Sequence, residues 1–224
     1  MADPDERHEA PTRLRFTRRR LLIGAGAAGV LAVLGVELAG RRSEVPLGPL
    51  STVVSGFPVR SVEDDQPAIP LSRWTVAVDG LVERPLRLDA AAWAALPRTD
   101  ETRDFHCVEG WSVDAVRWSG VKLADVLRLA RPRPGGAFVT FHALGGKYVD
   151  SLTVAEATDP AVLLADTLDG RPLPSQHGGP VRLVVPAQLG YKNVKWVVRV
   201  EVADERPQGY WERYGYPVEA PIGG

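Results

Sequence analysis

The chain holds a single cysteine, Cys107, and the residues around it are the first candidates for chemistry. It lies in Phe105-His106-Cys107-Val108-Glu109-Gly110-Trp111-Ser112, where a strand-like stretch runs into a Gly-Trp turn. A thiol at a strand end can face a cleft and act as a nucleophile or a soft metal ligand. A lone cysteine is also commonly just a small buried hydrophobe. His106 would point to the opposite face of the strand, so it and Cys107 are poorly placed to share one ion. A second cluster, Pro174-Ser175-Gln176-His177-Gly178-Gly179-Pro180, sets His177 on a tight loop before a strand, where its ring either reaches a ligand or caps a turn. The third is Gly190-Tyr191-Lys192-Asn193-Val194-Lys195-Trp196. On a strand Lys192 and Lys195 point to opposite faces, so both meet one ligand only if the turn at Gly190 bends the segment; otherwise they decorate a solvated edge. No Cys-x-x-Cys or His-x-x-x-His spacing supports a zinc or copper site built from Cys107 with His106, His142 or His177. A thiol hydrolase pairing Cys107 with His142 or His177 has no spacing in its favour either.

The elements that must position these residues are short and mostly strands. Trp74 to Val78 alternates and ends at an Asp79-Gly80 turn. Asp89 precedes the helix formers Ala90 to Leu96, which Pro97 closes, a capped short helix. Arg103 to Val108 reads as a strand. Lys122 to Ala130 sets Leu123, Val126, Leu127 and Ala130 on one helical face. Ala137 to Phe141 and Tyr148 to Leu152 are strands joined through Gly145-Gly146, and Thr153-Val154-Ala155-Glu156 has the form of a capping box. Val181 to Val185 and Val194 to Val202 are β-branched and strand-like. This mixture predicts a strand-rich α+β domain. Neither Gly145-Gly146 nor Gly178-Gly179 has the strand–loop–helix setting of a phosphate loop.

The 224 residues suit one domain with an N-terminal extension. A net charge of -1 gives no overall pull toward nucleic acid. The charge is uneven, however: between Thr12 and Arg20 every charged residue is an arginine, and from Leu21 to Val36 sixteen uncharged residues follow. Thr17-Arg18-Arg19-Arg20-Leu21-Leu22 resembles a twin-arginine export signal, whose route carries folded proteins. Sixteen residues fall short of the ~20 that span a bilayer comfortably. A small-x-small cleavage site is poorly formed, since Glu37 stands two places before Ala39 and Leu38 two before Gly40. Residues 1–43 are therefore expected to be a signal or a membrane anchor, 44–66 a proline-bearing linker, and 67–224 the working domain, lying outside the cytoplasm. In an exported chain a single cysteine has no internal disulfide partner.

From about Phe57 to Val202 the ordered pieces resemble the sulfite oxidase-like, molybdopterin-binding oxidoreductase family. They include Trp74 to Val82, Pro85-Leu86, Leu96-Pro97, His106 to Ser112, Trp118-Ser119-Gly120-Val121, Asp169-Gly170, Pro172-Leu173-Pro174, His177 to Pro186 and Gly190 to Trp196, with Gly209-Tyr210-Trp211-Glu212 resembling the family's C-terminal end. The resemblance implies a largely β fold around a molybdenum–molybdopterin cofactor, with Cys107 as the one protein thiolate on the metal. It further implies that His177, Arg182, Lys192 and Lys195 contact the cofactor, that His106 and Trp111 line the cleft, and that Tyr148 is an active-site tyrosine donating to substrate. Two departures stand out. Sulfite-oxidising members carry basic residues just after the cysteine, where this chain has Glu109-Gly110-Trp111; and Arg60-Ser61-Val62 replaces an Arg-Asn-His found in many members. The expected activity is two-electron oxygen-atom transfer on a small-molecule sulfoxide or sulfur oxyanion, with a separate electron-transfer protein, such as a membrane haem protein, as redox partner. The competing expectations are a cofactor-free ligand-binding or assembly module of the same fold, and a cysteine hydrolase.

Overall fold

The computed structural model describes residues 15–16, 56–63 and 68–222. Apart from the backbone of Arg15–Phe16 (β1), the leader lies outside the described residues. Among the described residues no helix is long and apolar enough to cross a membrane.

Two sheets carry the chain, with strands far outnumbering helices. One sheet has the order β3-β2-β11-β6-β7, from Leu86–Leu88, Val76–Gly80, Val197–Ala203, Phe138–Ala143 and Val149–Thr153. β2 and β11 run parallel; the other neighbours are antiparallel. Val76 and Val78 are buried while Ala77 and Asp79 face outward, the alternation of a sheet with one face on the core. The other sheet is built on the long β5 (Ser112–Lys122), paired antiparallel with β4 (Arg98–His106) and with β8 (Leu163–Leu168); β10 (Arg182–Val184) and the two-residue β9 (Arg171–Pro172) extend β8, and β1 lies parallel to the start of β5. The strand-rich α+β expectation holds.

The three α-helices among the described residues follow from local chemistry. Asp89 caps α1 (Ala90–Ala94), its carboxylate accepting from the amides of Ala91 and Ala92 at 3.1 and 2.9 Å. α2 (Leu123–Ala130) buries Leu123, Val126, Leu127 and Ala130, the one-sided stripe expected from their spacing. α3 (Val154–Ala157) opens with the complete Thr153–Glu156 capping box.

Several boundaries differ from expectation. β4 starts at Arg98 and stops before Cys107, and α1 ends at Ala94. The segment from Val194 to Trp196 is not strand: Gly190–Lys192 is a turn of 3-10 helix, and β11 starts at Val197. The strands β5 and β8 were not anticipated. In β8 a charged residue, Asp166, is 8% exposed. Trp93 Nε1 donates to it at 2.6 Å, and the Arg98 guanidinium grips both oxygens at 2.6 Å. Burial alone would raise that carboxyl, but these donors outweigh it and hold Asp166 below the usual carboxylate range.

The stretch expected to be a linker is part of the folded unit at its end. Phe57 is buried in a second hydrophobic cluster with Val113, Val116, Trp118, Leu163, Leu173 and Val184. Its ring lies 4.7 Å from Phe105 and 5.0 Å from His177, centroid to centroid. Residues 57–63 therefore form a strap laid across the strands that lead to Cys107.

Candidate active site

The strap, the turn after β4, the start of β7, the loops around His177 and Lys195, and the C-terminal tail enclose a cavity of about 330 Å³, a size typical of small-molecule sites. Six of the eight expected site residues line it: Cys107, Trp111, Tyr148, His177, Arg182 and Lys195.

Cys107 is placed by a tight turn. Its amide donates to Trp111 O at 2.9 Å, and Gly110 N–H donates back to Cys107 O at 3.0 Å. Gly110 sits at φ 87°, a left-handed conformation that costs glycine little. Burial pushes the half-buried thiol up; the amides of Glu109 and Val108 and the Arg60 charge pull the other way without cancelling it. The thiol is thus held as a neutral group in the cofactor-free protein.

The floor is cationic. Arg182 is 2% exposed; it donates to His177 O at 2.8 Å and Asn193 O at 3.2 Å, and stands over the rings of Trp118 and Phe105 at 5.2 and 5.6 Å. Lys195 donates to Arg60 O and Gln176 O at 2.7 and 2.8 Å. Among the described residues no carboxylate pairs with Arg182 or Lys195. The strain of this arrangement appears in their protonation: burial pushes Arg182 down to about 10, and burial together with Arg182 pushes Lys195 down to about 7. Burial, helped by both cations, lowers His177 to about 4. Glycine makes the convergence sterically possible. A Cβ on Gly178, at φ 98°, would stand 2.7 Å from the Lys195 side chain, and one on Gly190 would stand 2.4 Å from the Phe105 ring.

The mouth is neutralised. Arg60 Nε donates to both oxygens of Glu109 at 2.9 Å, and Trp111 Nε1 donates to the same carboxylate at 2.8 Å. These bonds, Arg60's first, hold Glu109 below the usual carboxylate range. Tyr148 forms a side wall. Its hydroxyl donates to Tyr191 O at 2.5 Å and its ring stacks on Tyr210 at 5.4 Å. Burial, with Asp150 next, pushes its phenol well up, so it remains a neutral donor.

Two expected residues stand elsewhere. His106 alternates with Phe105 on β4, so when Phe105 faces the cavity the imidazole faces away, its Nδ1 2.8 Å from Ser112 Oγ. Lys192 is drawn into the interior instead: its ammonium pairs with Asp150 and, at 3.0 Å, with Glu212, and is 1% exposed. The 3-10 turn at Gly190–Lys192 breaks the strand geometry on which the expectation rested, so Lys192 and Lys195 diverge. Phe57, Glu63, Tyr191, Trp211 and Tyr216 line the cavity without having been singled out as site residues.

The family model described as oxidoreductase molybdopterin binding domain matches residues 61–211. The chain belongs to that family. It is 34% identical over 169 residues to the uncharacterized oxidoreductase YuiH of Bacillus subtilis (strain 168), covering 75% of this chain and 84% of that protein. It is 36% identical over 157 residues to the protein-methionine-sulfoxide reductase catalytic subunit MsrP of Gluconobacter oxydans (strain 621H), covering 62% of this chain but only half of that protein. In fold it is similar to the sulfane dehydrogenase SoxCD of Paracoccus pantotrophus, with a TM-score of 0.58 and 24% identity over 65% of this chain and 42% of that one. The chain is a molybdopterin-dependent oxidoreductase.

The cavity suits the cofactor of this family. A buried arginine and a neighbouring lysine without carboxylate partners call for an anion, which the cofactor's phosphate provides, and a soft sulfur donor stands in the same cavity. In the cofactor-free protein His177 is expected to stay neutral down to about pH 4 when followed by NMR. Saturating inorganic phosphate should move that midpoint back toward the ordinary 6.5. A midpoint near 6.5 without any anion would mean that the floor does not carry the charge described.

Proposed function

We propose that this chain reduces neutral sulfoxides, taking electrons from a separate redox protein, and that it does so outside the cytoplasm. The observation that carries the reading is the pairing of Arg60 with Glu109 and Trp111 beside Cys107. Among the described residues it leaves no free cation at the mouth to collect an anionic substrate, while Val108 and Trp111 offer apolar contact. The MsrP relative, named for sulfoxide reduction, supports the same substrate class. When bound, the molybdenum–pterin cofactor supplies two-electron redox chemistry coupled to transfer of an oxygen atom. Cys107 would hold the metal, while Arg182, His177 and Lys195 would hold the phosphate. Tyr148 and Trp111 would position the substrate and narrow the access of water. The arginine-rich leader supports export of the folded, loaded protein; a membrane haem protein then suits the role of electron donor.

The test is kinetic. Protein made in a host that synthesises the pterin cofactor is assayed with dimethyl sulfoxide and reduced viologen, and with sulfite and ferricyanide. A kcat/KM for sulfoxide at least about 100-fold above that for sulfite is expected. The reverse preference would overturn the sulfoxide reading, and a preparation that never takes up molybdenum would favour a cofactor-free binding module.

A further inference from the structure

We propose that Glu63 is the proton donor for oxygen removal in this cavity, an inference that rests on the sulfoxide-reductase reading. Among the described residues two carboxylates line the cavity, Glu63 and Glu109. Glu109 is spent, since Arg60 and Trp111 bind it. Glu63 is 8% exposed and has no cation paired with it among the described residues. Its Oε1 accepts from the backbone N–H of Tyr148 at 2.6 Å, which fixes the side chain beside the tyrosine that walls the site. Its own amide donates to Ser61 Oγ at 3.1 Å. The strap is anchored on the other side by Lys195 donating to Arg60 O and by Phe57 packed on His177. So a short segment with no regular secondary structure is held at both ends, and what it presents to the cavity is a carboxyl group.

The chemistry requires such a group. Removing oxygen from a sulfoxide consumes two electrons and two protons, and yields one thioether and one water. The electrons come one at a time from the external donor protein. The S–O bond breaks, the oxygen leaves as water, and each O–H bond formed needs a proton at the oxygen. The other groups facing this space are poor sources. The Tyr148 proton is committed to Tyr191 O, and His177, Arg182 and Lys195 are the groups that would hold the cofactor's phosphate. Glu63 passes one proton to the departing oxygen, takes another from solvent through the mouth, and passes that on as well, so that both O–H bonds of the water are accounted for.

Glu63→Gln preserves shape and the Oε1 acceptor for Tyr148 N–H while removing the acid. In molybdenum-loaded protein it should lower kcat for dimethyl sulfoxide about 100-fold with little change in KM. The pH profile of kcat should differ between the wild type and the variant, and added formate should restore part of the variant's rate. Glu63→Asp, still an acid, should retain more activity than the Gln variant. Infrared difference spectra recorded on reducing the loaded protein without substrate should show a protonated-carboxyl band in the wild type that Glu63→Gln lacks. A Gln variant with wild-type kcat and pH profile would overturn the proposal, because a purely structural strap needs only the amide. If the wild type does not reduce sulfoxides, the functional reading falls, and the carboxyl band alone decides whether Glu63 takes up the proton.

Discussion

Cys107→Ser is expected to give a folded protein that has lost molybdenum and nearly all activity, a fall of more than about a thousandfold. Removing mere outer-shell partners of metal ligands typically costs roughly 10–100-fold, and here the thiolate itself is lost. The exchange is conservative in volume, and Cys107 lies in a turn held by backbone bonds from Trp111 O and Gly110 N–H, which serine leaves intact. Stability should therefore change little. A hydroxyl is a harder donor than a thiolate and does not ionise in this setting, so the soft-ligand match is lost. Metal analysis and absorption spectra of the variant beside the wild type make the measurement. Stoichiometric molybdenum retained in Cys107→Ser would remove the cysteine from the metal's coordination and restore the buried-thiol reading.

Lys192→Met is expected to destabilise the protein by about 3–5 kcal/mol, the usual consequence of stripping one partner from a buried ion pair. In a domain of this size that lowers Tm by roughly 10 °C. The ammonium, Asp150 and Glu212 are all nearly inaccessible, with side chains 1%, 1% and 5% exposed. Glu212 keeps Arg206 at 2.6 Å when the lysine is removed, but among the described residues Asp150 keeps no cation. A Lys192→Met, Asp150→Asn double variant should recover part of the loss, since neither charge then remains buried alone. Thermal unfolding followed by circular dichroism checks both. An unchanged Tm with reduced molybdenum content would instead return Lys192 to the cofactor contacts first expected. The network also has a pH signature. Burial would raise Glu212, but the Gly209 amide, Lys192 and Arg206 outweigh it and hold it below its ordinary range. Its contribution is therefore complete above the ordinary carboxylate value and is lost as the pH falls through the lowered one.

What could be read from the sequence was what short-range rules decide. The caps at Asp89 and Thr153, the stripe of α2 and the alternation of β2 each depend on residues within a few positions of one another. β5 escaped because its period breaks: Ala115 takes φ 52°, so Val113, Val116 and Trp118 are all buried although their spacing is not two throughout. β8 escaped because Asp166 looks like a surface residue until Trp93 and Arg98, 73 and 68 positions away, are brought to it. At the site, Cys107, His177 and Lys195 stood in recognisable loops and Arg182 in a recognisable strand, and the fold gathers them in one cavity. Lys192 stood in the same loop, but its direction was set by two acids from β7 and the tail, which no local pattern contains. The strap had no period to detect. Its order comes from Phe57 finding Phe105 and His177, and from Arg60 finding Glu109 49 positions later.

The strap and the tail also set a timetable. Phe57, Arg60 and Glu63 wall the cavity from one end of the domain, and Trp211 and Tyr216 wall it from the other. During synthesis the N-terminal parts emerge first, so Cys107 and the cationic floor are exposed, without their last wall, until residue 216 has left the ribosome. The complete cavity therefore exists only once those last residues have been made. A group bound in this cavity would touch both segments and so act as a cross-link, stabilising the folded state by mass action and opposing the separation of two segments that the peptide chain itself leaves more than 140 residues apart.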